Sequence, residues 1–156
     1  TEITAHPTAS LVYSEVYMGG RKYYNGGELF EFDILSVTTR GQRPDGRQLF
    51  REKFIIDPQR GGLRLTGVMD SYDVFANVVV VTPPESADII YKSTEPFINS
   101  DKHLAAGITH LPNGAGLLYK VLGTEPGPVK ALVREFASKV RQAVKCKPLP
   151  KEFPWR

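Results

Sequence analysis

The sequence predicts a mainly β fold, an antiparallel stack or sandwich, completed by one C-terminal amphipathic helix. Three observations carry this reading. Runs of β-branched and aromatic residues alternate with period two along most of the chain. Glycine, proline and Asp-Gly pairs punctuate those runs, and only one stretch, near the end, repeats its apolar residues at helical spacing.

Residues 9–18, Ala-Ser-Leu-Val-Tyr-Ser-Glu-Val-Tyr-Met, form β-rich chain with no helical period and predict a strand ending at Gly19-Gly20. Residues 29–37 set Leu29, Glu31, Asp33, Leu35 and Val37 on one face and Phe30, Phe32, Ile34 and Ser36 on the other, which predicts a second strand. Between them lies Gly-Gly-Arg-Lys-Tyr-Tyr-Asn-Gly-Gly. A phosphate-gripping glycine loop should open a helix, where unpaired N–H groups and the positive dipole end meet the anion. The residues after Gly27 start a helix poorly, so the glycine pairs read as a long strand-to-strand turn.

Pro44 and Asp45-Gly46 then supply a turn into an alternating strand over residues 49–56, making a hairpin. After Asp-Pro-Gln-Arg-Gly-Gly comes a strand over residues 72–81 whose end is apolar on both faces, as expected of a strand covered on both sides near the centre of the fold. Pro83-Pro84 stops it, and residues 85–94 predict a short helix carrying Ile90 and Thr94. Residues 105–123 read as a second hairpin folded at Pro112-Asn113-Gly114.

Thr124 is placed to cap the main helix, and Pro126 and Pro128 suit its first turn. Val129, Leu132, Val133, Phe136, Val140 and Val144 fall at helical spacing, leaving Lys130, Arg134, Lys139 and Arg141 outside the stripe. The closing Cys-Lys-Pro-Leu-Pro-Lys-Glu-Phe-Pro-Trp-Arg is denied helix by its prolines. Its anchors Leu149, Phe153 and Trp155 suggest an extended tail packed on its own domain or on a partner.

A 156-residue chain that is 41% hydrophobic can bury one core, so residues 1–156 are expected to form a single β-rich domain. Basic residues exceed acidic ones by 20 to 17, and the surplus gathers at Lys139, Arg141, Lys145, Lys147 and Lys151. This excess fits a solvated helix face, so no nucleic-acid partner is expected. No apolar run is long enough to cross a bilayer, and the opening lacks the layout of a signal peptide. With the single Cys146 unable to form an internal disulfide, a cytoplasmic protein without a membrane partner is expected. The chain also lacks an initiator methionine and starts within β-forming sequence, as a piece of a longer protein would.

Residue groupings suited to chemistry are few. His6, His103 and His110 are too scattered for a zinc site of usual spacing, and Asp101, His103 and His110 are the only candidates for a metal site. Ser71, Ser86 and Ser93 lack the context of a nucleophile, and Cys146 has no histidine near it in sequence. Glu28, Glu31 and Asp33 form no evident acid–base pair. The residues therefore read as a non-enzymatic interaction scaffold. Two alternatives stand beside it: a small β-rich polyanion-binding, nucleic-acid-binding or interaction domain using Arg40, Arg43, Arg47 and the basic helix, and a hydrolase built on Glu28 or His103.

The order of segments carries a resemblance. Gly-Ile-Thr-His-Leu-Pro followed by a strand ending in Val-Leu-Gly, a helix with Arg134 and Arg141 turned outward, and a terminal Leu-Pro-Lys-Glu-Phe-Pro-Trp resemble the closing third of the urease accessory protein family UreD, also called UreH. Gly20, Arg21, Gly27, Glu28 and Phe30 resemble the family's Gly-Arg-x-x-x-Gly-Glu-x-Phe segment, with a longer spacing between Arg21 and Gly27. The strand over residues 51–58 resembles its Arg-acidic-Arg-hydrophobic strand.

The resemblance implies the C-terminal part of a UreD-like protein. It also implies a urease maturation scaffold that binds apo-urease, UreF and the GTPase UreG, with no stably bound cofactor and nickel only in transit. On that reading Lys130, Arg134, Lys139, Arg141, Leu149, Phe153 and Trp155 are the partner-binding candidates. Arg21 and Glu28 would pair across the base of the glycine turn, to hold it or to line a polar passage.

Overall fold

The computed structural model describes residues 1–153. Among the described residues, eight strands, β1 (Glu2–Thr4), β2 (Leu11–Met18), β3 (Leu35–Gln42), β4 (Gln48–Ile56), β5 (Val74–Val81), β6 (Phe97–Asn99), β7 (Leu104–His110) and β8 (Gly116–Gly123), accompany two α-helices, α1 (Pro84–Lys92) and α2 (Pro126–Lys145). The fold is mainly β, with the expected C-terminal helix. A three-stranded sheet of order β1-β3-β4 lies against a five-stranded sheet of order β2-β5-β8-β7-β6. All pairings are antiparallel except β1 with β3, which the sequence did not foreshadow.

The centre of the large sheet is buried on both faces. Along β5, Val78, Val80 and Val81 are fully enclosed and Val74, Ala76 and Val79 nearly so, as its double-sided apolar pattern predicts. Alternation sends Ala76, Val78 and Val80 toward the helices, with Leu117, Tyr119 and Val121 of β8 beside them. There they meet Ile90 of α1 and Val129, Val133, Phe136 and Val140 of α2. Phe136 stacks on Tyr119 with ring centroids 4.2 Å apart, and burial pushes the Tyr119 phenol up to about 12.

The opposite face packs on the small sheet in two apolar clusters, one around Phe50, Val79 and Val81 and one around Phe54, Ile56 and Phe75. A polar band lies between the sheets. Glu15, Asn77 and Lys120 are neighbours in register across the large sheet, as Thr39 and Glu52 are across the small one. Lys120 Nζ donates to Glu52 Oε1 at 2.6 Å, and Thr39 Oγ1 donates to Glu15 Oε2 at 3.3 Å.

Several local expectations shift. The strand expected over residues 29–37 begins only at Leu35 and runs on to Gln42. Phe30 adopts φ 57°, a left-handed conformation no strand accommodates, while Thr38 and Thr39 extend the β-branched run beyond the expected end. Thr124 does not cap α2. Glu125 holds the N-cap position, and its side chain accepts no capping hydrogen bond from the helix. The short helix ends at Lys92, just before Thr94, whose hydroxyl donates to the Ile90 carbonyl at 2.8 Å. The second hairpin turns at Asn113, φ 56°, in a short 3₁₀ segment. Among the described residues no helix is long and apolar enough to cross a membrane.

Because Phe136 is 1% exposed and fills the space between β8 and α2, Phe136→Ala leaves a cavity. We expect unfolding in urea to show a loss of about 3–5 kcal/mol; a loss under about 1 kcal/mol would mean the helix is not held by this contact.

Candidate functional site

The glycine-pair segment carries the chain from β2 of the large sheet to β3 of the small one, a longer route than a simple turn. Its base is drawn together by backbone bonds, Phe30 N to Gly19 O at 2.6 Å and Glu28 N to Arg21 O at 3.2 Å. Gly20 has φ 141°, and a Cβ there would stand 2.1 Å from the Glu28 carbonyl oxygen. Gly19 is required for another reason: a Cβ would strike the Phe30 ring at 2.7 Å. At this base Arg21 Nε donates to Glu28 Oε2 at 2.7 Å and Nη2 to Oε1 at 3.0 Å, a two-pronged pair. The guanidinium also lies 4.0 Å from the Tyr24 ring centroid.

The next residue ties the turn to the body of the protein. Lys22 Nζ donates to the Thr124 carbonyl at 3.0 Å and to Glu125 Oε1 at 2.8 Å, and lies 3.1 Å from Asp73 Oδ2. Asp73 is buried. Its other oxygen accepts from Arg64 Nη2 at 2.7 Å, and Arg64 in turn donates to the carbonyls of Asp70 and Tyr72. Tyr23 OH donates to Glu125 Oε1 at 2.5 Å. One carboxylate thus joins the glycine turn and the loop before β5, and a second joins the turn to the start of α2.

The electrostatics follow the contacts. The hydrogen bond to Glu125 and the charges of Asp73 and Glu125 hold Lys22 above its ordinary value. The bonds from Lys22 and Tyr23 hold Glu125 below the ordinary 4.5, and the bond to Glu125 raises Tyr23. A cleft of about 370 Å³ lies over this network, walled by Met18, Tyr23, Tyr24, Leu29, Val74 and Pro126. Its rim is exposed and apolar: Tyr23 is 81% accessible, Tyr24 and Met18 both 54%.

The helix candidates separate. By the 3.6-residue repeat, Lys130, Arg134, Arg141 and Lys145 fall on one stripe of α2 and Lys139 on the far side. There Lys139 pairs with Glu135 at 3.2 Å and donates to the Ser93 carbonyl. Arg134 holds the tail, donating to the carbonyls of Pro150, Lys151 and Phe153 at 2.8, 2.5 and 3.0 Å. Leu149 N donates to Ser138 Oγ, so the described part of the tail lies on its own domain. Trp155 lies outside the described residues.

The metal candidates do not converge. Asp101 and His103 occupy the β6–β7 turn, whereas His110 ends β7, with its Nε2 3.8 Å from Asp88 and its ring against Tyr91. Strand geometry puts the histidines roughly 20 Å apart. Among the described residues no group of three His, Cys, Asp or Glu side chains could hold a metal ion. Two of the three arginines of the polyanion alternative are engaged: Arg40 pairs with Glu2 at 2.6 Å, and Arg43 donates to the carbonyls of Ala5 and His6. Glu28 is engaged by Arg21, and His103 does not line the cleft.

The family model described as UreD urease accessory protein matches residues 1–156. The chain belongs to the UreD family. UreD relatives include the Urease accessory protein UreD 2 of Brucella canis and of Brucella suis, each 46% identical over 155 residues. The Urease accessory protein UreD of Yersinia pseudotuberculosis is 40% identical over 156 residues. These alignments cover 99–100% of this chain but 49–51% of the relatives, so the chain spans about half the length of the curated UreD proteins it matches.

Within this UreD chain, sequence reasoning missed Lys22, Arg64, Asp73 and Glu125. Asp73 reads as an ordinary alternating position, yet it precedes the strand it was assigned to. A charged residue at the mouth of a strand as apolar as β5 was the available signal.

Substitutions and pH test the network. Replacing Lys22 and Arg64 together by methionine leaves the Asp73 carboxylate buried without a cation, and we expect urea unfolding to show a loss of about 3–5 kcal/mol. Arg21→Ala, at a site 64% exposed, should cost less than about 1 kcal/mol. For pH, the folded value of Glu125 is depressed, so its contribution is complete above 4.5 and fades as pH falls through the folded value. The stability gap between the parent and Glu125→Gln should therefore be constant at neutral pH and close in acid; a gap that widens in acid would contradict the assigned contacts.

Proposed function

We propose that this chain acts as a non-catalytic, cytoplasmic scaffold in urease maturation, forming one β-rich domain that corresponds to the C-terminal part of a longer UreD-like protein. It binds apo-urease together with UreF and UreG and assists the transfer of nickel, which is cargo and not a resident cofactor. The observation that carries this reading is the family match along the whole chain.

On this reading Lys130, Arg134, Lys139 and Arg141 of α2, with Leu149, Phe153 and Trp155 of the tail, form the contact with UreF. The grip of Arg134 on three tail carbonyls supports treating helix and tail as one surface. Arg21 and Glu28 hold the glycine turn so that the apolar rim of Met18, Tyr23 and Tyr24 is presented to solvent.

The test is capture of purified UreF by the chain, followed by restoration of urease activity and nickel content in cells lacking their own UreD. We expect deletion of residues 147–156, and separately Lys130→Glu combined with Lys139→Glu, to weaken UreF capture by about tenfold or more. Full-strength capture by the truncated chain would remove the tail from the interface, and failure of the intact chain to bind UreF would overturn the reading.

A further inference from the structure

The cleft of about 370 Å³ separates the glycine turn from the body of the protein, with Tyr23 and Tyr24 on one side and Val74, Glu125 and Pro126 on the other. Residues 20–28 of the turn are closed on themselves. Tyr24 N and Glu28 N donate to the Arg21 carbonyl, Gly27 N donates to the Tyr24 carbonyl, and the Arg21–Glu28 pair spans the base. Among the described residues no backbone hydrogen bond links this unit to the body, and none of its side chains joins an apolar cluster.

Side chains alone hold the unit down: Lys22 on the Thr124 carbonyl, Glu125 and Asp73, and Tyr23 on Glu125. Its flanks, by contrast, are fixed. Gly19 N donates to the Asp73 carbonyl at 3.0 Å, and Leu29 packs against the cluster of Phe30, Ile56 and Met69. Between flank and unit stands Gly20, at φ 141°, where the absence of a side chain leaves the backbone free to turn.

The acceptors of this latch are provided for without it. Asp73, the buried one, keeps Arg64 Nη2 at 2.7 Å, and Arg64 is itself held by the carbonyls of Asp70 and Tyr72. Glu125 has a side chain 39% exposed and stands at the start of α2, where the positive end of the helix favours a carboxylate. Lys22 would return to water. Breaking the latch therefore strands no buried charge, the outcome that makes rupture of an ion pair costly.

We propose that residues 20–28 form a lid, latched to the start of α2 by Lys22 and Tyr23, that swings as one body on Gly20 and Leu29. Closed, it leaves Val74 only 3% exposed. Open, it uncovers Val74 and Pro126 and turns the cleft into an accessible apolar site. The two cations on Asp73 divide the work: Lys22 travels with the lid, and Arg64 stays to hold the carboxylate while the lid is open. These contacts all lie within this chain and stand independently of the urease reading.

The test is alkylation of the full chain by N-ethylmaleimide without denaturant, followed by mass spectrometry, with the free Cys146 replaced by serine. Val74→Cys reports the cleft, and Val133→Cys, at a position 0% exposed in the core under α2, reports global unfolding. Urea melts of each variant verify its fold. The thiol at position 74 should react about tenfold or more faster than that at 133, with a rate nearly independent of low urea concentrations, because the lid exposes little surface when it opens.

Lys22→Met with Tyr23→Phe should accelerate reaction at position 74 about tenfold or more. Arg64→Met should act in opposite directions at the two probes. It slows reaction at 74, since opening would now leave Asp73 without a cation, and speeds reaction at 133 by destabilising the fold. Hydrogen exchange of the Tyr24, Gly27 and Glu28 amides should stay slow in the Lys22→Met, Tyr23→Phe variant, because their bonds move with the lid.

Equal rates and equal urea dependence at the two positions would overturn the proposal, and so would a rate at 74 indifferent to the latch substitutions. Faster reaction at 74 in Arg64→Met would make Arg64 the latch instead of Lys22. Loss of amide protection in step with thiol exposure would show the turn melting, not swinging as a body.

Discussion

The architecture depends on one strand being apolar on both sides. A strand such as β5, with Val78, Val80 and Val81 wholly enclosed, cannot lie at a surface without exposing valine to water at about 1.5–3 kcal/mol for each side chain. Its two faces therefore need two covers. The helices provide one and the three-stranded sheet the other, and this requirement sets the layer order and the position of α2. The basic stripe and the tail attached to it are displayed as a consequence of burying the helix's valines.

The ionic network is mounted on the same strand. Asp73 immediately precedes β5, its N–H donates to Gly123 O at the end of β8, and its carbonyl accepts from Gly19 N at the end of β2. The carboxylate thus projects from the point where the ends of β2, β5 and β8 meet, and the loops that reach it are referenced to the rigid part of the molecule. Burial matters to the energetics here. Arg21 and Glu28 make the better-shaped pair in a wetter place, whereas Asp73 makes the two bonds whose loss leaves a charge out of water.

Elements whose pattern is local and repetitive were legible in the sequence: the alternation of β4, the double-sided apolar run of β5, the turn at Asn113 and the stripe of α2. The irregular segment before β3 was not, because Glu31, Phe32 and Asp33 alternate like a strand while Phe30 leaves the strand region to fold its ring over Gly19. Nor was the parallel β1–β3 pair, since its register, Ile3 with Gly41, is decided by the packing of the whole small sheet. At the candidate site, the contact of Arg21 with Glu28 was expected from the resemblance, which sets the two residues at the ends of one turn. Lys22 and Glu125 are neighbours only after β2, β5 and β8 have assembled, and nothing periodic in the chain records that meeting.

The strand order also dictates the sequence of events in folding. The β3–β4 hairpin closes across a few residues, but β2 must wait for β5, whose Val79 lies opposite Tyr13 far along the chain. Until then the Val78–Val81 run is an uncharged, β-prone segment with both faces bare, the composition that pairs readily with copies of itself. The interval before β2 and β8 flank that run is when the nascent chain is most prone to aggregate, so anything that hastens the long-range β2–β5 closure should raise the yield of folded molecules without altering the finished structure.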